Sequence, residues 1–164
     1  KKFLLRYNQL STDNSNLNEI NKIGESIQLL KKGNDLPEVT LVDITGKTIT
    51  SKSLLNQKTV FFFWTENAES HLIAVHKKAL EFQRINPEYQ FIAVNIDEEQ
   101  EKWLKVLKNH SFGSIKEFRA ENFEDLKEKW VITKLHRTMI IDKTGKIYNG
   151  FVNLFDVKFA EHLQ

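Results

Sequence analysis

The chain has 164 residues, 40% of them hydrophobic and 28% charged, with a formal net charge of +2. That composition suits one globular domain plus an extension, long enough to bury a core without covalent staples. Lysine and glutamate interleave without a basic run, so no nucleic-acid stripe is expected, and no apolar run approaches the ~20 residues of a membrane span. There is no cysteine, which removes disulfides, thiolate catalysis and cysteine metal ligands together but leaves the redox compartment open.

No signal peptide is visible, and the chain begins Lys1-Lys2 without an initiator methionine, as expected of a processed or trimmed product. Residues 1–14 read as an arm that is frayed or ordered by a partner. From Leu17 the apolar positions Leu17, Ile20, Ile23, Ile27 and Leu30 follow helical spacing. Asn16 with Glu19 resembles a capping box, and Gly33 fits the residue just past the helix end. Residues 1–35 are therefore expected to form an arm and an amphipathic helix packed on a main domain over residues 36–164.

The main domain starts at Pro37. Val39 to Ile44 and Thr48 to Thr50 predict two short strands around a turn at Thr45-Gly46-Lys47, followed by a helical turn within Ser51–Asn56. Val60 to Thr65 is apolar, aromatic or β-branched without a break, the pattern of a strand buried on both faces. A helix over about 68–86 is stopped by Pro87 and lined by Leu72, Val75, Ala79 and Phe82, with Ile73, His76 and Leu80 beside them. Phe91 to Ile96 predicts a second buried strand, so the unit is βαβ with parallel strands and a right-handed crossover. Asp97 is expected to cap a helix over 98–109 with Trp103, Leu104 and Leu107 inward. Ile115 to Phe118 suggests a short edge element, and Asn122 caps a helix through Trp130. Thr138–Asp142 and Lys146–Tyr148 flank a hairpin loop with Gly145 where a positive φ is needed. A last helix is expected over about 155–163.

The residues carry a family resemblance. Leu36-Pro37-Glu38-Val39-Thr40-Leu41 with Gly46-Lys47 resembles the "APDFTL…DGK" opening of TlpA-like and peroxiredoxin-like proteins of the thioredoxin-like superfamily. Phe63-Trp64 resembles the "FW" before their CxxC, and Met139 to Ile147 resembles their "TFLIDKDGKI" hairpin. The match runs over roughly residues 33–164. It implies a thioredoxin-like α/β fold, a mixed central sheet flanked by helices, here with an N-terminal helical extension.

The same resemblance places Ala68-Glu69-Ser70-His71 where the family has Cys-x-x-Cys and His136 where it has a cis-proline. Disulfide exchange and peroxide reduction need a sulfur nucleophile, and neither position supplies one. The former active-site positions are thus Trp64, Ala68, Glu69, Ser70, His71 and His136, with no catalytic residue among them. Ser70 and His71 are adjacent on a helix, about 100° apart, and do not suit a nucleophile–base pair. His71 and His136 with Glu66 or Glu69 are the only metal candidates, and they follow no tight ligand spacing. Glu66, Asn67, Glu69 and Ser70 are read as caps and dipole complements, His76 as a packing residue, and Trp64, Trp103 and Trp130 as core or cleft rim.

The expected function is a redox-inactive thioredoxin-like domain used in binding or assembly, within a bacterial cell-envelope protein related to TlpA-like reductases. No cofactor is expected. A protein partner, or the rest of a larger parent protein, is. The rival is an enzyme with a site rebuilt around His71 and His136, dependent on a metal or on histidine. The peptide bond Leu135-His136 is expected to be trans, since a cis bond before a non-proline residue costs about 2.5–4 kcal/mol.

Overall fold

The computed structural model describes residues 14–163; residues 1–13 of the expected arm lie outside them. Seven strands form one mixed sheet: β1 (Thr40–Val42), β2 (Thr48–Thr50), β3 (Lys58–Trp64), β4 (Tyr89–Asn95), β5 (Lys116–Ala120), β6 (Arg137–Ile141) and β7 (Ile147–Asn153). Their order is β2-β1-β5-β4-β3-β6-β7. The β3–β4 and β4–β5 pairs are parallel and the others antiparallel. Four helices accompany them: α1 (Asn14–Leu29), α2 (Glu69–Ile85), α3 (Gln100–Asn109) and α4 (Phe123–Trp130). This is the expected thioredoxin-like α/β architecture. No helix among the described residues is long and apolar enough to cross a membrane.

The unbroken apolar run of β3 has a simple cause. Side chains alternate across a strand, and β3 is covered on both faces. Phe61 and Phe63 enter one core with Trp130, Met139 and Leu126. Val60, Phe62 and Trp64 enter the other with Leu72, Val75, Ala79 and Trp103. α2 and α3 cover this second face, and α4 covers the first. The helical stripe read from residues 68–86 is the buried face of α2, and all three tryptophans are core.

The two hairpin turns are built alike. Asp43 Oδ1 accepts from the Thr45 and Lys47 amides and the Thr45 hydroxyl. Asp142 Oδ1 does the same for Thr144 and Lys146. In the second turn Gly145 takes φ +85°, as expected.

Several boundaries differ from expectation. The element near residue 115 is an interior strand, paired with β1 and β4. Its polar appearance comes from Lys116, Glu117 and Arg119, whose long side chains find partners within the fold. The last helix is reduced to a 3-10 turn over Phe159–His162. Asn153 and Asp156 accept the Phe155 and Lys158 amides, local bonds that compete with helix. Asn16 lies inside α1, not at its cap, and Gly33 has φ +94° but stands beyond the helix end, its amide bonded to the Ile147 carbonyl.

The stripe on α1 is also only partly buried. Leu30, just past the helix, is buried, Leu17 and Ile20 are half-buried, and Ile23 and Ile27 are 41% and 39% exposed. The chain is held at the helix's C-terminal end, where a Cβ at Gly150 would stand 3.1 Å from the Leu30 carbonyl oxygen. Any side chain there would push the two backbones apart by a few tenths of an ångström.

Candidate functional site

β3 ends at Trp64, and the chain turns through Thr65–Asn67 into α2. The turn is tied from across the sheet. Asp97, at the end of the neighbouring parallel strand, accepts from the Thr65 hydroxyl and, at 2.8 Å, from the Glu66 amide. Asn95 Nδ2 supports the same carboxylate at 2.9 Å. Asp97 therefore does not cap the helix after it, whose N-cap is Glu99 without a side-chain bond. Parallel pairing brings the ends of β3 and β4 together, and the carboxylate serves its spatial neighbour in preference to its sequence neighbour. No short-range pattern signals this role.

Ala68 is the N-cap of α2 and offers no acceptor. The expected capping by Glu66, Asn67, Glu69 and Ser70 is thus not found as side-chain bonds at that cap. Glu69 remains an acidic residue in the first turn, favourable to the helix dipole. Glu69 and Ser70 are exposed, and Ala68 and His71 are half-buried.

His71 is the unusual member of the group. Both its ring nitrogens are buried without a hydrogen-bond partner, and the ring meets Phe155 edge-on with centroids 5.8 Å apart. Burial pushes its pKa below the ordinary 6.5, and the charges of His136 and His76 act in the same direction. The result is a neutral imidazole. His136 is exposed at the start of β6 and follows a trans peptide, there being no cis peptide bond among the described residues. His71, His136 and Glu66 do not assemble into one ligand set: among the described residues no group of three or more His, Cys, Asp or Glu side chains is placed to hold a metal ion.

Behind this surface lies a polar chain that the sequence did not announce. His76 Nδ1 lies 2.7 Å from the Leu72 carbonyl and Nε2 lies 2.8 Å from Glu117 Oε2. The Trp64 indole N–H donates to Glu117 Oε1 at 3.2 Å. A carbonyl only accepts, so Nδ1 must donate; one further proton is then shared between Nε2 and the carboxylate. Burial pushes Glu117 above the ordinary 4.5, while the bonds from His76 and Trp64 pull the other way. The His76 ring is stacked on Phe112 at 3.6 Å, and Phe112 in turn on His110 at 5.5 Å. His76 is the packing residue expected, and Glu117 is the partner that made its burial affordable.

The "Thioredoxin-like" family matches residues 56–147. Among solved structures, a proposed thiol-disulfide oxidoreductase from Bacteroides vulgatus superimposes with TM-score 0.69 at 18% identity, over 82% of this chain and 95% of that one. A domain of a proposed thiol-disulfide isomerase from Cytophaga hutchinsonii gives 0.65 at 22%, over 76% and 86%. A thiol:disulfide interchange protein from Bacteroides sp. gives 0.62 at 19%, over 72% and 79%. No curated protein sequence matches significantly. The chain belongs to the thioredoxin-like family, and it does so without a cysteine.

Proposed function

We propose that this protein is a redox-inactive thioredoxin-like domain serving in binding or assembly, within a bacterial cell-envelope protein. One observation carries the reading: the family's fold is complete, yet the chain has no sulfur nucleophile. Ala68 and His71, the residues assigned to the two cysteine positions, stand at the N-cap and in the first turn of α2, where the helix dipole would favour a thiolate but neither residue supplies one. The envelope context is inferred from the resemblance of the sequence to TlpA-like reductases.

The test is direct. The purified chain should neither reduce insulin disulfides nor remove peroxide above background. Turnover that survives removal of contaminating reductases would overturn the redox-inactive reading. Fractionation of the source cells should place the protein in the envelope, and recovery solely from the cytosol would overturn that part. The second reading, an enzyme rebuilt around His71 and His136, draws on the two unpartnered nitrogens of His71. Stoichiometric metal in the purified protein, lost in His71→Ala, would favour it.

A further inference from the structure

A groove of about 690 Å³ opens between α1, the start of β6, β7 and the C-terminal turn, within the ~300–1,000 Å³ usual for small-molecule sites. Its apolar lining includes Ile23, Ile27, Phe151 and Phe159. Four of its eight polar lining residues are Lys134, His136, His162 and Arg137, and the others are neutral apart from Asp156.

Arg137 is the unexplained group. It is only 9% exposed. Two of its nitrogens are used at the end of α4, NH1 donating to the Val131 carbonyl at 2.5 Å and NH2 to the Trp130 carbonyl at 2.9 Å. The Phe151 ring lies over the guanidinium, 4.1 Å from its carbon. Nε has no partner, and no carboxylate lies within ion-pair distance of Arg137 among the described residues. Burial alone lowers its pKa to about 10, so at neutral pH the charge persists. Asp156, the one acid lining the groove among the described residues, accepts from the Lys158 amide instead. A helix C-terminus supplies about half a negative charge, which offsets the guanidinium only in part. A buried charge without a full counter-charge is costly, and an anion in the groove would relieve it.

We propose that this groove binds a small monocarboxylate with an apolar chain or ring. The carboxylate sits at the end lined by Arg137 and Lys134, drawn by their charges and close to the unpartnered Nε–H. The apolar body lies along Ile23 and Ile27. The exposure of these two side chains on an otherwise packing face of α1 is then the ligand's half of the contact. The inference does not rest on the former cysteine positions, so its failure would leave the redox-inactive reading intact.

Calorimetric titration of the full chain with decanoate tests it, with decanol and acetate as arms that keep only the apolar body or only the head. Saturable one-site binding tighter than ~1 mM is expected, with both partial ligands at least ~10-fold weaker. The Arg137 side-chain Nε–H resonance should shift with decanoate and not with decanol. Because Arg137→Gln loses two bonds at the end of α4, the exposed position Ile27 provides an independent check. Ile27→Glu and Ile27→Lys should each weaken decanoate at least ~10-fold, because either puts a charge where the apolar body lies. The proposal is overturned by absence of saturation, by decanol or acetate binding as well as decanoate, or by either Ile27 variant binding decanoate as tightly as the unaltered chain.

Discussion

Two histidines five residues apart on one helix meet opposite fates. His76 is fully buried and both its ring nitrogens are engaged, one by the Leu72 carbonyl and one by Glu117. His71 is half-buried and both of its nitrogens are idle. The first is a polar group whose burial is matched, and it ties α2 to β5. The second is a polar group whose burial is not matched, and nothing in the fold benefits from its being polar. The difference separates a structural imidazole from one that stability does not require.

That contrast can be broken most severely at Glu117. Glu117→Ala strips a buried partner from His76 and from the Trp64 indole. It should cost about 3–5 kcal/mol, the range for breaking a buried pair. Urea denaturation would show it as a lower midpoint at unchanged slope, and a loss under ~1 kcal/mol would mean that the pair is not what holds His76 in place.

His71 should behave in the opposite sense. His71→Leu replaces two unsatisfied nitrogens by apolar atoms of similar size and should be neutral or stabilising by up to ~2 kcal/mol. Destabilisation comparable to Glu117→Ala would show that the imidazole has a partner.

The two sites also predict opposite pH dependences. Glu117 has a folded pKa raised above 4.5. Its contribution is fully present below 4.5 and is lost as pH rises through the folded value. His71 has a folded pKa lowered below 6.5. Its contribution is fully present above 6.5 and is lost as pH falls through the folded value. Melting temperature across pH should therefore lose a decline that sets in above pH 4.5 in Glu117→Gln, and a fall that sets in below pH 6.5 in His71→Leu. Unchanged profiles in both variants would contradict the assignments.

The smallest effect belongs to α1. Ile23 sits on the stripe that sequence spacing marks as buried, yet it is exposed. Ile23→Ser should change stability by less than ~0.5 kcal/mol, as surface substitutions do. A loss of several times that would restore the stripe as packing surface.

Most of the fold was legible because its signals are local. The unbroken apolar run of β3, the helical stripe of α2, the glycine turn at Gly145 and the Asn122 cap each lie within a few neighbouring residues, and each is found where the pattern placed it. The failures have two causes, one local and one remote. The terminal helix was lost to Asn153 and Asp156, which compete for the same amides a helix would use. β5 was read as an edge because its charged side chains have partners remote in sequence. Of the candidate site, the sequence located the β3–α2 junction and His71 but neither Asp97's role nor Glu117.

What the sequence determined alone is the class of fold and the absence of thiol chemistry, since hydrophobic periodicity and residue type do not depend on who the neighbours are. What only the tertiary structure decided is which polar groups are satisfied. Glu117 reaches His76 across 41 positions and Asp97 reaches the Glu66 amide across 31. Arg137, only six and seven residues from the carbonyls it serves, still owes its burial and its idle Nε to strands and helices that close over it. Burial and pairing are properties of the packed chain: hydration holds every such group equally well until folding removes the water, and only then does a partner's presence or absence matter.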